Sequence, residues 1–170
     1  MVPAIEQLVG LRSGYEGPRR FWFTLPRGHD KTGIIARLCN YVLKFSKNKI
    51  SGAATAADKG QARLLLESMK REIDLNPWLK RSLYAYNYQI TGPSGHLEVI
   101  ATDANTASGR KDDFTVCDEI VYWRHKGAFD MLLSGVTKRP DAVMVVITNA
   151  GIQGTWQWEL FQQIKADPYW

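Results

Sequence analysis

Cysteine, histidine and long apolar runs are scarce in this chain, and each scarcity argues against a class of protein. The two cysteines among 170 residues, Cys39 and Cys117, lie in apolar stretches, which predicts buried, reduced thiols rather than a disulfide framework. The histidines His29, His96 and His125 show no metal-ligand spacing with cysteines or acids. No apolar run approaches the length of a membrane span, and no basic-then-apolar segment opens the chain. We therefore expect a protein that is neither membrane-embedded nor secreted.

Repeats and low-complexity tracts are also absent, and the composition is ordinary for a globular protein. The chain is 45% apolar and 23% charged, and its length suits one domain with a sizeable core. The net charge of +5 is unevenly placed, since residues 1–50 carry nine Lys or Arg against three acids. A basic first third fits attraction to phosphate or DNA, and it also fits an ordinary solvated surface.

The stretch Phe21–Gly33 is the most informative segment of the sequence. An apolar, aromatic run typical of a buried strand ends at Pro26, and a helix is predicted to start at Lys31-Thr32. Free backbone N–H groups at a helix start, with a lysine and a hydroxyl, are what a triphosphate with Mg²⁺ requires. The pattern G-x-x-x-x-G-K-S/T matches only in part, because Leu25 and Asp30 stand where it has glycines. The segment therefore predicts a variant phosphate-binding loop.

Two adjacent acids end a second apolar run, Phe114–Cys117. In phosphate-loop hydrolases an acid at the end of a buried strand holds Mg²⁺, and Asp118 suits that role. A second acid can orient or deprotonate the attacking water, and Glu119 suits that one. The alternative is a solvated pair of acids at a strand end. The presence of the Lys31-Thr32 loop favours the functional interpretation.

A third element runs from Ala142 to Ile147 as six consecutive apolar residues. Such a run is typical of a central parallel strand that is covered on both faces. It ends in the small residues Thr148–Gly151, where a γ-phosphate or a moving backbone can be sensed. Taken alone, this segment is an ordinary buried strand and turn.

Alternating patterns predict the other elements and the fold class. Strands that alternate with helices favour a three-layer α/β architecture with a mainly parallel sheet. Asp58 followed by Gln61 predicts a capping box at a helix start, and the alternation of Tyr84, Tyr86 and Tyr88 predicts three tyrosines on one strand face. The predicted helices are Ile5–Leu11, Thr32–Phe45, Asp58 to about Ile73, Gly127–Thr137 and Thr155–Lys165, and the predicted strands are Arg20–Leu25, Ile50–Ala56, Leu83–Thr91, Leu97–Thr102, the strand before Asp118-Glu119, and Ala142–Ile147.

In their order along the chain, these motifs resemble those of large terminase subunits, the motors that drive DNA into tailed-phage capsids. Pro26–Thr32 looks like the family's arginine-containing Walker A, and Ala54–Ala62 resembles its next strand-to-helix turn. Ser108–Arg110 followed by Val116–Glu119 is similar to its pre-Walker-B segment and Walker B. Ile147–Gly151 resembles its coupling motif, usually Thr-Thr-Ala-Gly. The ordered set is what makes the resemblance specific.

The resemblance implies a P-loop NTPase of the RecA/ASCE-like class, in which residues 1–170 form the ATPase core of a viral packaging motor. It implies hydrolysis of ATP with Mg²⁺ to move double-stranded DNA into a capsid, with the portal protein and the small terminase subunit as further partners. The full-length protein is expected to form a homo-oligomeric ring in the cytoplasm of an infected bacterial host. Large terminases also carry a C-terminal nuclease with clustered acids, and because this sequence has no such cluster we expect a partial core. The implied site comprises nucleotide-binding Arg27, Gly28, His29, Asp30, Lys31, Thr32 and Gly33, metal-binding Thr32 and Asp118, catalytic Lys31, Glu119 and Arg110, and coupling residues Thr148, Asn149, Ala150 and Gly151.

Several alternatives stay open at this point. Asp30 stands where most family members have glycine, so its carboxylate lies near the phosphates unless it turns away or pairs with Arg27. Arg27 itself either reaches the γ-phosphate or pairs with Asp30. Arg110 either enters a neighbouring subunit's site as an arginine finger or pairs with Asp112 or Asp113. Two other functions also remain: a helicase-like P-loop ATPase of another family, and a non-hydrolysing assembly domain in which Asp30 blocks phosphate.

Overall fold

The computed structural model describes residues 1–102 and 110–170, and within them it contains a seven-stranded sheet. The strand order is β1-β7-β6-β2-β5-β4-β3. The first five strands in that order are parallel, and β4 and β3 extend the sheet as antiparallel neighbours. This confirms the predicted α/β class with a mainly parallel sheet. The strands are β1 (Arg20–Thr24), β2 (Ile50–Ala56), β3 (Tyr84–Ala85), β4 (Gln89–Gly92), β5 (Gly95–Ala101), β6 (Phe114–Asp118) and β7 (Val143–Thr148).

Helices cover both faces of the sheet and give the three predicted layers. One buried cluster joins α1, α2 and α3 to one face, and a second joins α5 and α6 to the other. The strands β6 and β7 are buried at every position, which explains why both read as continuous apolar runs rather than alternating ones. The helices are α1 (Val2–Leu8), α2 (Lys31–Phe45), α3 (Lys59–Leu75), α4 (Pro77–Lys80), α5 (Lys126–Thr137) and α6 (Trp156–Ile164), and a 3₁₀ turn spans Ile120–Tyr122.

Most predicted elements lie within a few residues of the observed ones, and local chemistry accounts for the agreement. Asp58 caps α3 through a hydrogen bond from the Gln61 N–H to Oδ1 of 2.9 Å, as the capping pattern predicts. Asn76 ends α3, and Pro77 begins α4, where a missing N–H costs nothing. The first helix starts at Val2 rather than near Ile5, with a proline in its first turn.

The predicted long strand Leu83–Thr91 is wrong. The chain turns between β3 and β4, and the Tyr86 N–H donates to the Gln89 carbonyl at 2.8 Å. The three tyrosines Tyr84, Tyr86 and Tyr88 are all exposed, but the turn prevents them from sharing one strand face. The strands β4 and β5 form a hairpin and pair antiparallel from Gln89↔Glu98 to Gly92↔Gly95.

Both thiols are buried and free. Cys39 belongs to the cluster on one face of the sheet and Cys117 to the cluster on the other. Burial raises the pKa of both thiols, because a thiolate loses hydration in an apolar environment. Among the described residues, no helix combines the length and the apolar character that crossing a bilayer requires.

Candidate active site

The carboxyl ends of three adjacent strands bring the site together. β7 lies between β1 and β6, in register from Thr24↔Thr148 on one side to Asp118↔Ile147 on the other. The Leu25 N–H donates to the Thr148 carbonyl at 2.9 Å and continues the ladder past the end of β1. Parallel strands end at one edge of a sheet, so the loop after each strand opens into the same cleft.

The loop after β1 has two residues with left-handed backbone, Gly28 at φ +81° and Asp30 at φ 49°. Asp30 is the N-cap of α2, yet its side chain makes no capping hydrogen bond. The first amides of a helix have no acceptor within the helix. The first turn of α2, from Lys31 to Gly33, therefore presents backbone N–H groups that an anion can accept.

Lys31 is buried, with only 7% of its side chain exposed. Its ammonium donates to the Pro26 carbonyl at 3.2 Å and to Asn149 Oδ1 at 2.8 Å, and it lies 3.3 Å from Glu119 Oε1. These contacts join the loop after β1 to the residues after β6 and β7. The predicted catalytic lysine thus lies at the centre of the cleft.

Asp118 ends β6 and is 2% exposed. Its Oδ1 is buried and has no hydrogen-bond partner among the described residues. The pKa of Asp118 is raised from 3.8 to about 6, chiefly by burial and also by the charge of Glu119, while the charge of Lys31 partly opposes both. An orphaned buried carboxylate oxygen is costly on its own, and a cation bound there would satisfy it. Asp118, with the half-buried Thr32 in the first turn of α2, therefore offers the oxygen ligands that Mg²⁺ prefers.

Glu119 has left-handed backbone, with φ 49°. Its N–H donates to the Ile147 carbonyl at 2.8 Å. The sharp turn lets the Glu119 side chain enter the cleft at the end of β6, next to Asp118. Oε1 lies against Lys31, and Oε2 accepts from Asn149 Nδ2 at 3.0 Å. Non-glycine residues adopt this conformation at a cost, which often marks a functional position.

The residues after β7 connect the two sides of the cleft. Thr148 is 2% exposed, and its hydroxyl accepts from the Val121 N–H at 3.2 Å while its carbonyl accepts from Leu25. Asn149 bridges Lys31 and Glu119 through one amide group. Ala150 and Gly151 line a cavity of about 70 Å³ between this loop and α6, together with aromatic side chains.

Arg27 donates to the Tyr122 hydroxyl at 2.7 Å. The alternative in which Arg27 pairs with Asp30 is wrong, because the Asp30 carboxylate pairs with Arg37 at 2.9 Å. His29 is exposed, and its Nδ1 lies 3.3 Å from the Arg27 carbonyl. The structure thus gathers the loop residues as expected and directs the Asp30 side chain away from Arg27.

Arg110 does not join this cluster. Its guanidinium donates to Asp112 Oδ2 at 2.7 Å and Oδ1 at 2.9 Å, and it also pairs with Glu98. Asp112 precedes β6, so Arg110 lies at the opposite end of that strand from Asp118. The finger role in a neighbouring subunit stays a prediction, and it requires these ion pairs to open. Ser108 and Gly109, the other residues of the predicted motif, lie outside the described residues.

A larger open cleft of about 580 Å³ lies beside the 3₁₀ turn that follows β6. Tyr122 connects this cleft to the loop after β1, because its hydroxyl accepts from Arg27 and the residue also lines the cleft. The other lining residues are Ala57, Asp58, Gln61, Thr102, Arg124 and His125.

Three contacts of the site were not predicted from the sequence. Tyr122 holds Arg27, Arg37 holds Asp30, and Gln157 Nε2 donates to the Trp123 carbonyl at 2.8 Å and to the Ile120 carbonyl at 3.2 Å. Arg37 alone left a usable signal, since it lies two helical turns after Asp30 on the predicted α2. Tyr122 and Gln157 reach their partners only through the fold.

Comparison with known proteins agrees with this geometry. A family model described as "Terminase large subunit, ATPase domain" matches residues 9–165. A search among curated proteins finds no match. Because the family model matches more than half of the chain, it establishes the family.

Solved structures show the same fold at low sequence identity. The large terminase of bacteriophage HK97 is 17% identical with a TM-score of 0.80, over 99% of this chain and 36% of that chain. The large terminase ATPase domain of Thermus phage P74-26 is 15% identical with a TM-score of 0.67, over 92% of this chain and 72% of that one. A thermophilic bacteriophage large terminase in complex with ADP is 13% identical with a TM-score of 0.67, over 98% of this chain and 42% of that one. The chain thus spans only 36% of the length of the HK97 protein.

Proposed function

The chain belongs to the family of terminase large-subunit ATPase domains, and from this membership we propose that it is the ATPase core of a viral DNA-packaging motor. It hydrolyses ATP with Mg²⁺ to drive double-stranded DNA into a capsid. The observation that carries the proposal is the cluster at three strand ends, in which Lys31, Asn149 and Glu119 contact one another beside the buried Asp118. Family membership favours this function over a helicase-like ATPase of another family.

ATP binds with its phosphates at the start of α2. The first-turn amides at Lys31, Thr32 and Gly33 donate to phosphate oxygens, and the Lys31 ammonium leaves its protein acceptors for the β- and γ-phosphates. Arg27 lies on the loop with its guanidinium held by Tyr122, and it turns to the γ-phosphate when nucleotide arrives. Gly28 and His29 complete the loop. A large terminase of the same fold is solved in complex with ADP, which supports nucleotide as the ligand of this chain.

Thr32 and Asp118 hold the metal ion. The buried Asp118 Oδ1 has no hydrogen-bond partner in the described part of the chain, which supports this assignment, and oxygen donors at two element ends suit Mg²⁺. When bound, Mg²⁺ neutralises charge on the phosphate oxygens.

Glu119 is the general base. Its two carboxylate oxygens contact Lys31 and Asn149. When Lys31 moves to the phosphates, Glu119 is freed to accept a proton from water. The water oxygen then forms a bond to the γ-phosphorus as the bond to the β–γ bridging oxygen breaks, which yields ADP and inorganic phosphate.

Thr148–Gly151 relay the state of the nucleotide to the rest of the motor. Asn149 contacts both the lysine and the base, and Thr148 joins the β1 end to the turn after β6, so departure of the γ-phosphate changes several contacts at once. The partners are double-stranded DNA, the portal protein and the small terminase subunit, in the cytoplasm of an infected bacterial cell. In a homo-oligomeric ring, Arg110 of one subunit acts in the site of the next.

The second candidate is a non-hydrolysing assembly domain in which Asp30 blocks phosphate. The Asp30 side chain is 67% exposed and pairs with Arg37 outside the loop, which argues against a blocked site.

The test is calorimetric titration of the chain with a slowly hydrolysed ATP analogue and Mg²⁺. We expect saturable binding that Lys31→Ala weakens by at least about tenfold, because a hydrogen bond to a charged group is worth about 1.5–3 kcal/mol. Lys59→Ala is the matched control, since Lys59 is an exposed lysine that begins α3, and it should bind like the native chain.

Phosphate release from ATP by the native chain then tests hydrolysis. Binding without any release above a Glu119→Gln background would support the assembly domain. A native chain that does not bind the analogue at all would contradict the ATPase proposal.

A further inference from the structure

Asp30 lies at the position where the negative charge of an acid would most weaken phosphate binding. It is the N-cap of α2, and aspartate is among the residues that most readily cap the amides of a first helical turn. A capping carboxylate here would take up the N–H groups that the phosphates need, and it would place a negative charge beside them. Among the described residues Asp30 makes no such capping bond.

The backbone and Gly33 together explain where the carboxylate goes instead. Asp30 has φ 49° and ψ 42°, which is left-handed and unlike the extended conformation of an ordinary N-cap. The carboxylate lies over Gly33, since a Cβ added there would come within 2.3 Å of both Oδ1 and Oδ2. The missing side chain at position 33 therefore makes the space that Asp30 occupies.

Arg37 then holds the carboxylate in that place. Its Nη2 donates to Asp30 Oδ2 at 2.9 Å, and its Nη1 lies 3.3 Å from Glu72 Oε1 on α3. Arg37 is four residues after Gly33, so the two share a face of α2. The pKa of Arg37 is raised, chiefly by its hydrogen bond to Asp30, although partial burial lowers it. Glu72 fixes the guanidinium from the neighbouring helix.

We infer that Arg37 is a positioning residue that holds the Asp30 carboxylate over Gly33 and off the backbone amides of the first turn of α2, and so keeps those amides available to nucleotide. The inference rests on the proposed function, since it concerns the same phosphate site. Arg37 itself does not touch the nucleotide. Its effect on binding passes entirely through Asp30.

The experiment is a double-mutant cycle on the native 170-residue chain, with the Kd for Mg²⁺ and the ATP analogue as the readout. Arg37→Ala releases Asp30 and should weaken binding by about fivefold, the upper end of the effect of an exposed charge at a helix terminus. In an Asp30→Gly background the same Arg37→Ala change should have no effect beyond about twofold. Loss of the Arg37→Ala effect in the Asp30→Gly background would show that Arg37 positions Asp30 and does not contact phosphate directly.

Two control variants separate this effect from loss of charge and loss of fold. Arg63→Ala removes an exposed arginine from α3 and should leave Kd within about twofold, because an exposed charge at a distance is screened. Arg37→Lys keeps a cation near Asp30 and should restore most of the affinity. Thermal unfolding of each variant shows whether a change in Kd follows a change in fold.

Equal weakening by Arg37→Ala with Asp30 and with Gly at position 30 would overturn the inference, since Arg37 would then act without Asp30. So would a native chain that binds only after Asp30→Gly, although that result would support a nucleotide site at this loop. Absence of binding in every variant, including Asp30→Gly, would overturn the proposed function and the inference with it.

Discussion

The two ends of strand β6 carry adjacent acids of the same kind, Asp112-Asp113 before it and Asp118-Glu119 at its end, but their surroundings differ. At the start every carboxylate has partners. Asp112 accepts from Arg110 and from the Ser51 hydroxyl, and Asp113 accepts from the Ser51 N–H at 2.9 Å and pairs with Arg139. Hydrogen bonds to Asp112 and Glu98 raise the pKa of Arg110 although its burial opposes this. This end is a satisfied network that ties β6 to β2 and β5.

At the other end one carboxylate oxygen is unsatisfied. Within residues 1–102 and 110–170, the buried Asp118 Oδ1 has no hydrogen-bond partner, and Glu119 adopts a left-handed backbone. Native structures leave few buried polar atoms unpaired. Local rules are most often broken at functional sites. The comparison teaches that the two acidic pairs differ in a single oxygen: every carboxylate at the start of β6 has partners, whereas Asp118 Oδ1 has none among the described residues and so has capacity left for a ligand.

The largest effect should come from Glu119→Gln. The amide keeps the shape and a hydrogen-bond acceptor for Asn149, but it cannot take the proton from water. We expect ATP hydrolysis to fall by about a thousandfold, within the range of general-base contributions, with nucleotide affinity nearly unchanged. Steady-state phosphate release checks this, with Glu67→Gln on α3 as an exposed control. Retained hydrolysis would assign the base elsewhere and weaken the contrast between the two ends.

Asp112→Ala should act on stability instead. Asp112 is 4% exposed and takes two hydrogen bonds from Arg110, so its removal leaves a partly buried guanidinium with one fewer partner. We expect a loss of about 3 kcal/mol in the free energy of unfolding, with the Kd of the folded protein for nucleotide unchanged. Urea denaturation and analogue titration measure the two quantities. A change in Kd without a change in stability would contradict the assignment of this end to folding.

Asp118→Asn should raise the free energy of unfolding at neutral pH, whereas Asp112→Ala lowers it. Because the pKa of Asp118 is raised from 3.8 to about 6, the folded protein binds this proton more tightly than the unfolded chain does. The stability that the proton contributes is fully present below about pH 4 and is lost as pH rises through about 6. In metal-free buffer we expect the variant to exceed the native chain by up to about 3 kcal/mol at pH 7.5.

The difference in the free energy of unfolding between Asp118→Asn and the native chain should disappear as pH falls to about 4. Urea denaturation with a chelator present, at several pH values, checks this. A variant that is less stable than the native chain at pH 7.5 would mean that Asp118 is satisfied in the folded protein after all.

Much of this arrangement could be predicted from the sequence because it is local. Strand ends carry the polar residues of parallel sheets, so Lys31, Asp118, Glu119 and Thr148 could be assigned to one edge before any contact was known. The fold class followed from the alternation of strands and helices, and the structure confirms it. The predicted roles of these residues in catalysis stay predictions.

What could not be predicted depends on long-range contacts or on backbone strain. The position of β7 between β1 and β6 brings Asn149 to Lys31 and Glu119, and no local pattern specifies that strand order. The tyrosine alternation after Leu83 suggested one strand because the turn within it contains neither glycine nor proline. The pairing of Asp30 with Arg37 depends on the left-handed backbone of Asp30, and the helical spacing of the two residues alone does not predict that conformation.

The contact between Asp30 and Arg37 also makes the effects of substitutions at these two positions depend on each other. On the inference drawn above, aspartate at position 30 is compatible with nucleotide binding while Arg37 holds its carboxylate, and glycine at position 30 removes the need for Arg37. A side chain at position 33 would displace the same carboxylate. An engineered variant of this loop therefore has to treat positions 30, 33 and 37 together.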